Sequence, residues 1–156
     1  VTVSDRSARG EREDRSGPAL AEAAAAGGAE VVRRELVPDD PGALGALLAA
    51  MCDAPDAPDL VLTTGGTGLG PRDRTPEATA AVCERLVPGI PEALRADSLR
   101  VTPHGMLSRG VAGVRGRTLV VNLPGSTGGA RDGWAVVARV AAHAAAQLRG
   151  GDHPPP

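Results

Sequence analysis

Leu60-Val61-Leu62-Thr63-Thr64-Gly65-Gly66-Thr67-Gly68 is a short, unbroken, β-branched apolar run that passes straight into glycine. A run with no polar alternation suits a strand buried on both faces of a parallel sheet. The glycines let the backbone come close to a ligand, because they carry no Cβ and tolerate unusual φ. Successive amides of such a turn can cradle an anion such as a phosphate. A plain tight turn fits the same residues, since strand-to-helix turns are commonly glycine-rich. Two nucleotide fingerprints are excluded. The loop has no Walker lysine, and the third glycine of Gly66-x-Gly68-x-Gly70 does not open a helix directly.

Outward from this stretch the chain alternates between strand and helix signals. Val1-Thr2-Val3-Ser4 reads as the end of a strand whose earlier residues are expected upstream, and Arg6 to Arg15 reads as a polar loop. Ser16-Gly17-Pro18 starts a helix that runs to Ala26 and stops at Gly27-Gly28. Glu30 to Val37 has the look of a second strand, and the spacing of Leu44, Leu47, Leu48 and Met51 predicts an amphipathic helix. Thr75-Pro76-Glu77 predicts another helix start, with threonine as the cap, proline in the first position and an acid favoured by the dipole. That helix is expected to continue from Ala78 to Leu86 and to be followed by one over Pro91 to Leu99. Thr118 to Leu123 reads as the last strand and Asp132 to Leu148 as a long helix.

This order predicts a single-domain α/β fold, a three-layer α/β/α sandwich around a mostly parallel sheet. The domain is expected over residues 1–149, with a flexible tail at 150–156. Such a sheet binds ligands beyond the carboxyl ends of its strands. The loops after Ser4, Val37, Thr64 and Leu123 are therefore where a site is expected.

The 17 basic and 19 acidic residues leave a formal charge of -2, without the basic excess that drives nucleic-acid affinity. There is no Phe or Tyr to stack on bases. Every basic residue other than histidine is arginine, which excludes a Walker lysine, a Schiff-base lysine and a pyridoxal site together. Phosphate chemistry must then rest on arginine, backbone amides or a metal. Cys52 and Cys83 form neither a disulfide framework nor a zinc cluster. No apolar run is long enough to span a bilayer and no signal-peptide pattern opens the sequence, so a soluble, cytoplasmic protein with no membrane partner is expected.

Gly70-Pro71-Arg72-Asp73 places a cation and a carboxylate on the glycine loop. Asp73 has a plain reading as an acid near a helix N-terminus, and Asp39-Asp40 one as a cap before Pro41. Both acids nevertheless follow strand ends and can converge on one place. Two carboxylates beside bound phosphates are what Mg²⁺ usually needs.

Together, Thr64-Gly65-Gly66-Thr67-Gly68, Pro71-Arg72-Asp73-x-Thr75-Pro76-Glu77-Ala78, Met106-Leu107-Ser108-Arg109 and Asn122-Leu123-Pro124-Gly125-Ser126 make the chain resemble the Mog/MoaB family of molybdopterin-binding proteins. Ser4-Asp5, Asp14-x-Ser16-Gly17 and Val37-Pro38-Asp39-Asp40 extend the resemblance from about residue 2 to the final helix. It implies an adenylyltransferase that moves AMP from ATP to the molybdopterin phosphate and releases pyrophosphate, with Mg²⁺ as cofactor. It implies Asp39 and Asp73 as the metal-handling and catalytic acids and Ser108 as a functional serine. Ser4, Asp5, Gly65, Gly66, Thr67, Gly68, Asn122, Pro124, Gly125 and Ser126 are then expected to bind the adenylate, and Ser98 and Arg109 the pterin. Asn122 also has an ordinary reading as a strand-end residue satisfying backbone groups. A homotrimer is expected from a closer likeness to Mog-type than to MoaB-type members, with a downstream molybdenum insertase as a further partner. A non-catalytic pterin-binding module is the alternative.

Three positions depart from the usual family pattern: Arg74, Gly105 and Thr127. None removes a proposed catalytic side chain. His104, His143 and His153 are expected at the surface or in packing, and Trp134 in the core or at a subunit interface.

Overall fold

The computed structural model describes residues 1–151. Thr2–Val3 forms β1, Asp5–Ala8 α1, Ser16–Ala26 α2, Leu36–Val37 β2, Pro41–Cys52 α3, Leu60–Thr64 β3 and Thr75–Val82 α4. Arg85–Leu86 forms β4, Gly89–Ser98 α5, Ala112–Arg115 β5, Thr118–Leu123 β6 and Thr127–Leu148 α6, with a short 3₁₀ turn over Pro103–Leu107. The sheet runs β2-β1-β3-β6-β5-β4. Its first four strands are parallel, and β5 and β4 close the far edge in antiparallel pairs. The expected mostly parallel three-layer sandwich is what forms.

Strand periodicity sorts the side chains between the layers. Leu119, Val121 and Leu123 of β6 point towards α2, α5 and α6, where Leu20, Ala130, Trp134 and Val137 are buried. Val120 of β6 and Val61 of β3 point the other way, onto Leu44, Leu48 and Met51 of α3 and Ala78 of α4. Every residue of β6 is buried, Thr118 and Asn122 included, as suits a strand covered on both faces. Each such aliphatic side chain contributes about 1.5–3 kcal/mol when fully buried. Trp134 belongs to this core, against Gly27 at the end of α2.

Several sequence expectations are corrected. Residues 5–8 form a helical turn where a loop was expected, because the Ser4 hydroxyl accepts from Ser7 N–H. The second strand shrinks from Glu30–Val37 to Leu36–Val37, at the edge of the sheet. The helix expected to reach Leu86 stops at Val82. Cys83 turns extended, and Glu84 and Val87 N–H donate at 2.8 Å to Val114 and Ala112 carbonyls, pulling Arg85–Leu86 into the sheet as β4. Its partner β5 has no clear strand signal, because Gly113 weakens it. That glycine is required: a Cβ there would sit 2.7 Å from Cys83 Sγ. Thr75 is not the cap of α4, since Arg74 holds that position and no side chain caps the end. The last helix begins five residues early, at Thr127, because Ser126 Oγ accepts from Gly129 N–H at 3.1 Å.

Gly150 and Gly151 donate back to Gln147 and Ala146 and close α6. The rest of the tail expected to be flexible, with His153, lies outside the described residues. Among the described residues no helix is long and apolar enough to cross a membrane.

Candidate active site

The chain leaves β1 for the outer strand β2 and, after β3, runs to the other side of the sheet, so the connections that follow the paired strands β1 and β3 part at their carboxyl ends. A crevice at such a switch point is where parallel sheets bind ligands. The loop after β3 lies there. Gly65 and Gly66 take φ of +108° and +63°, values that side chains resist. A Cβ on Gly65 would lie 2.2 Å from the Val3 carbonyl oxygen. The loop is tied to the end of β6 by Thr64 Oγ1 donating to Pro124 O at 2.7 Å, and a Cβ on Gly125 would lie 3.0 Å from Gly65 Cα. The N–H groups of Gly66, Thr67 and Gly68 donate to no atom of the described residues. They are open to an anion.

Acids gather on the β1–β2 side of the loop. Asp39 and Asp5 exchange bonds, Asp5 N–H to Asp39 Oδ2 at 2.7 Å and Asp39 N–H to Asp5 Oδ1 at 3.1 Å. Asp40, not Asp39, caps α3 by accepting from Ala43 N–H at 2.7 Å. Burial pushes the Asp39 carboxyl above its ordinary value, against the pull of the Asp5 N–H bond, and repulsion from Asp5 and Asp73 adds to the rise. Asp5 is held below its ordinary value by the Arg72 guanidinium. The Asp73 carboxylate is folded onto its own loop, Oδ2 accepting from Gly70 N–H at 2.9 Å, with Gly68 packed against it.

Asp39 and Asp73 fit the cation that the resemblance implies only in a limited way. Among the described residues no group of three or more His, Cys, Asp or Glu is arranged to hold a metal ion. Asp39 Oδ1 and Asp73 Oδ1 nevertheless accept no bond and remain available. One or two carboxylates completed by phosphate oxygens and water are the usual surroundings of Mg²⁺.

On the opposite side of the loop lies a cleft of about 610 Å³. Thr67, Gly68, Ser98, Ser108, Pro124 and Ser126 line it, and His104 stands at its wall. The predicted site residues thus divide into an acidic half and a cleft half, with the glycine loop between them. Three assignments change character in three dimensions. The Asn122 amide is buried, donating to Thr63 Oγ1 at 3.0 Å and Thr79 Oγ1 at 2.9 Å while accepting from Val111 N–H at 3.2 Å. Ser126 spends an acceptor on capping α6. Arg109 turns its guanidinium to the glycine loop, donating to Gly68 O at 2.7 Å and to Asp73 O and Glu77.

Two residues given no role at the site by the sequence, Arg95 and the motif residue Asp14, also matter. Arg95 of α5 donates to Gly110 O at 3.2 Å and Ser108 O at 3.5 Å, holding the Ser108 segment over the cleft. Its position one turn before Ser98 is the only signal that points to it. Asp14 accepts from Thr2 Oγ1 at 2.8 Å and Gly17 N–H at 2.9 Å, fastening α2 beside β1.

Comparison with known proteins supplies the family. The family described as "Probable molybdopterin binding domain" matches residues 1–143. The molybdopterin adenylyltransferase of Helicobacter pylori is 41% identical over 131 residues, covering 80% of this chain and 72% of that protein. The MoaB structure from Thermus thermophilus aligns with a TM-score of 0.88 at 52% identity, over 96% of this chain and 93% of that one. The Mog protein of Mycobacterium ulcerans aligns with 0.84 at 43%, over 94% and 95%. From its strand order to its glycine loop, the chain belongs to the molybdopterin-binding domain family.

Proposed function

We propose that this chain is a molybdopterin adenylyltransferase. An oxygen of the pterin phosphate attacks the α-phosphorus of ATP, the new P–O–P bond forms, the α–β P–O bond breaks and pyrophosphate leaves. No protein nucleophile is needed. The observation that carries the reading is the trio of open amides at Gly66, Thr67 and Gly68, with carboxylates on one side and a ligand-sized cleft on the other. The name of the Helicobacter pylori relative supports it.

In this reading the amides hold ATP phosphates, where fixed donors stabilise charge that develops in the transition state. Asp39 and Asp73 hold Mg²⁺, which when bound offsets charge on the phosphates. Arg109 keeps the loop in shape through Gly68 and Asp73, and Ser98 and Ser108 contact the pterin in the cleft. A cytoplasmic location, assembly as a homotrimer and transfer of the product to a molybdenum insertase belong to the same proposal.

The test is incubation of the purified protein with molybdopterin, MgATP and inorganic pyrophosphatase. Adenylylated pterin is the expected product. Bound pterin that stays unmodified, with no loss of ATP, would replace the enzyme by a binding module.

A further inference from the structure

We infer that Thr75 is a positioning residue for Asp39: its hydroxyl, unpartnered in the free protein, donates to the Asp39 carboxylate when the glycine loop takes up a nucleotide. Thr75 Oγ1 is the one buried side-chain polar atom among the described residues without a hydrogen-bond partner, on a residue 2% exposed. A buried hydroxyl in that state is a net destabiliser, and a valine of the same shape avoids the penalty. The helix does not need it, because no side chain caps α4 and Thr75 N–H already donates to Gly66 O at 3.1 Å. Some other demand keeps a hydroxyl there.

The geometry around Gly66 supplies that demand. A Cβ built on Gly66 would lie 2.2 Å from Thr75 Oγ1 and 3.1 Å from Asp39 Oδ1, so both oxygens face the same side of one glycine. Asp39 Oδ2 is held by Asp5 N–H, while Oδ1 accepts from none of the described residues. A donor without an acceptor thus stands beside an acceptor without a donor. The backbone of Thr75 is tied, but its side chain can turn about Cα–Cβ to another staggered position. Gly66, placed between the two at φ +63°, is the part of the loop that a phosphate on its N–H would shift. Loading the loop then closes a hydrogen bond from Thr75 Oγ1 to Asp39 Oδ1 and fixes the carboxylate, already held at Oδ2 by Asp5 N–H, beside the loaded loop.

The inference rests on the nucleotide reading of the loop, and its test does not require turnover. Full-length Thr75→Val and Thr75→Ser are compared with the unmodified chain by melting temperature without ligand and by calorimetric binding of MgATP and, separately, of molybdopterin. Thr75→Val is expected to melt at the same or a higher temperature and to bind molybdopterin unchanged. Its MgATP affinity is expected to fall at least about tenfold, as for loss of a hydrogen bond to a charged group. Thr75→Ser should regain most of it. Unchanged MgATP affinity in Thr75→Val overturns the inference. So does a lower melting temperature with MgATP and pterin binding reduced alike, which marks a structural hydroxyl. If the unmodified chain binds MgATP but yields no adenylylated pterin, the proposed reaction fails while the Thr75 comparison still decides.

Discussion

Arg72 donates through Nε and Nη2 to both carboxylate oxygens of Asp5, each at 2.9 Å, across 67 residues of sequence. This fork joins the loop after β3 to the end of β1 and sets the acidic half of the site against the glycine loop. Without Arg72, Asp5 adds an unbalanced charge beside Asp39. Arg72→Ala is expected to lower adenylyl transfer about tenfold or more by displacing the loop. Asp5 has a depressed value, so its contribution to stability is present above the unfolded value of 3.8 and is lost as pH falls through the lower folded one. Melting temperatures of the two proteins should therefore differ at pH 7 and converge in strong acid; a constant difference across that range would remove the ionic part of the argument.

Asp39 has the opposite sign. Its raised value means that the folded protein carries a penalty for the ionised carboxylate, complete above the folded value and relieved as pH falls through it towards 3.8. Asp39→Asn should be at least as stable as the unmodified chain at pH 7, with the advantage fading in acid. Its adenylyl transfer should be largely lost, since an amide is a poorer Mg²⁺ ligand. If Asp39 and Asp73 share one ion, the double Asn variant should lose much less than the product of the two single losses. Full activity of either single variant at saturating Mg²⁺ removes that residue from the metal role.

Gly66→Val does not separate binding from folding, because its Cβ would strike Thr75 at a φ that a β-branched residue resists. Gly68 is the better probe. It has no left-handed φ, and an added Cβ would meet only Asp73, 2.9 Å from Oδ2. Gly68→Ala should keep the melting temperature within a few degrees and still lower activity about tenfold or more, because the carboxylate is displaced. Unaltered kinetics would show that the seat of Asp73 is unimportant.

Asn122→Leu should act chiefly on stability. It strips partners from Thr63, Thr79 and the Val111 amide at once, at a cost of at least about 2 kcal/mol. Chemical denaturation measures this directly. A variant of normal stability that has lost nucleotide binding would return Asn122 to the ligand wall.

Burial pushes the Cys83 thiol up to about 11. At pH 8 the thiolate that alkylating agents attack is scarce, and Cys52 is buried besides. Iodoacetamide should modify the folded protein far more slowly than the unfolded one; equal rates would contradict the packing of Cys83 against Gly113.

Elements with their own local signal were legible in the sequence. The apolar run Leu60–Thr64 needed only its composition, α2 its Ser-Gly-Pro start and glycine stop, and α3 its periodic leucines. The order of those elements, with the glycine loop after a buried strand, determined the layered sheet and the place of the site, because periodicity and turn chemistry act between residues near one another in the chain. Tertiary structure alone decided the rest. Arg85–Leu86 became strand because Val114 and Ala112 offered carbonyls. Asn122 turned inward because Thr63 and Thr79 lay on its face of the sheet, and Arg109 turned to the loop because Gly68 and Asp73 presented carbonyl oxygens. Thr75, which reads as a helix cap, was left with a buried hydroxyl and no partner. A polar side chain takes its partner from whatever the packed fold places within about 3 Å, and that neighbour is set by strand order and register between segments tens of residues apart.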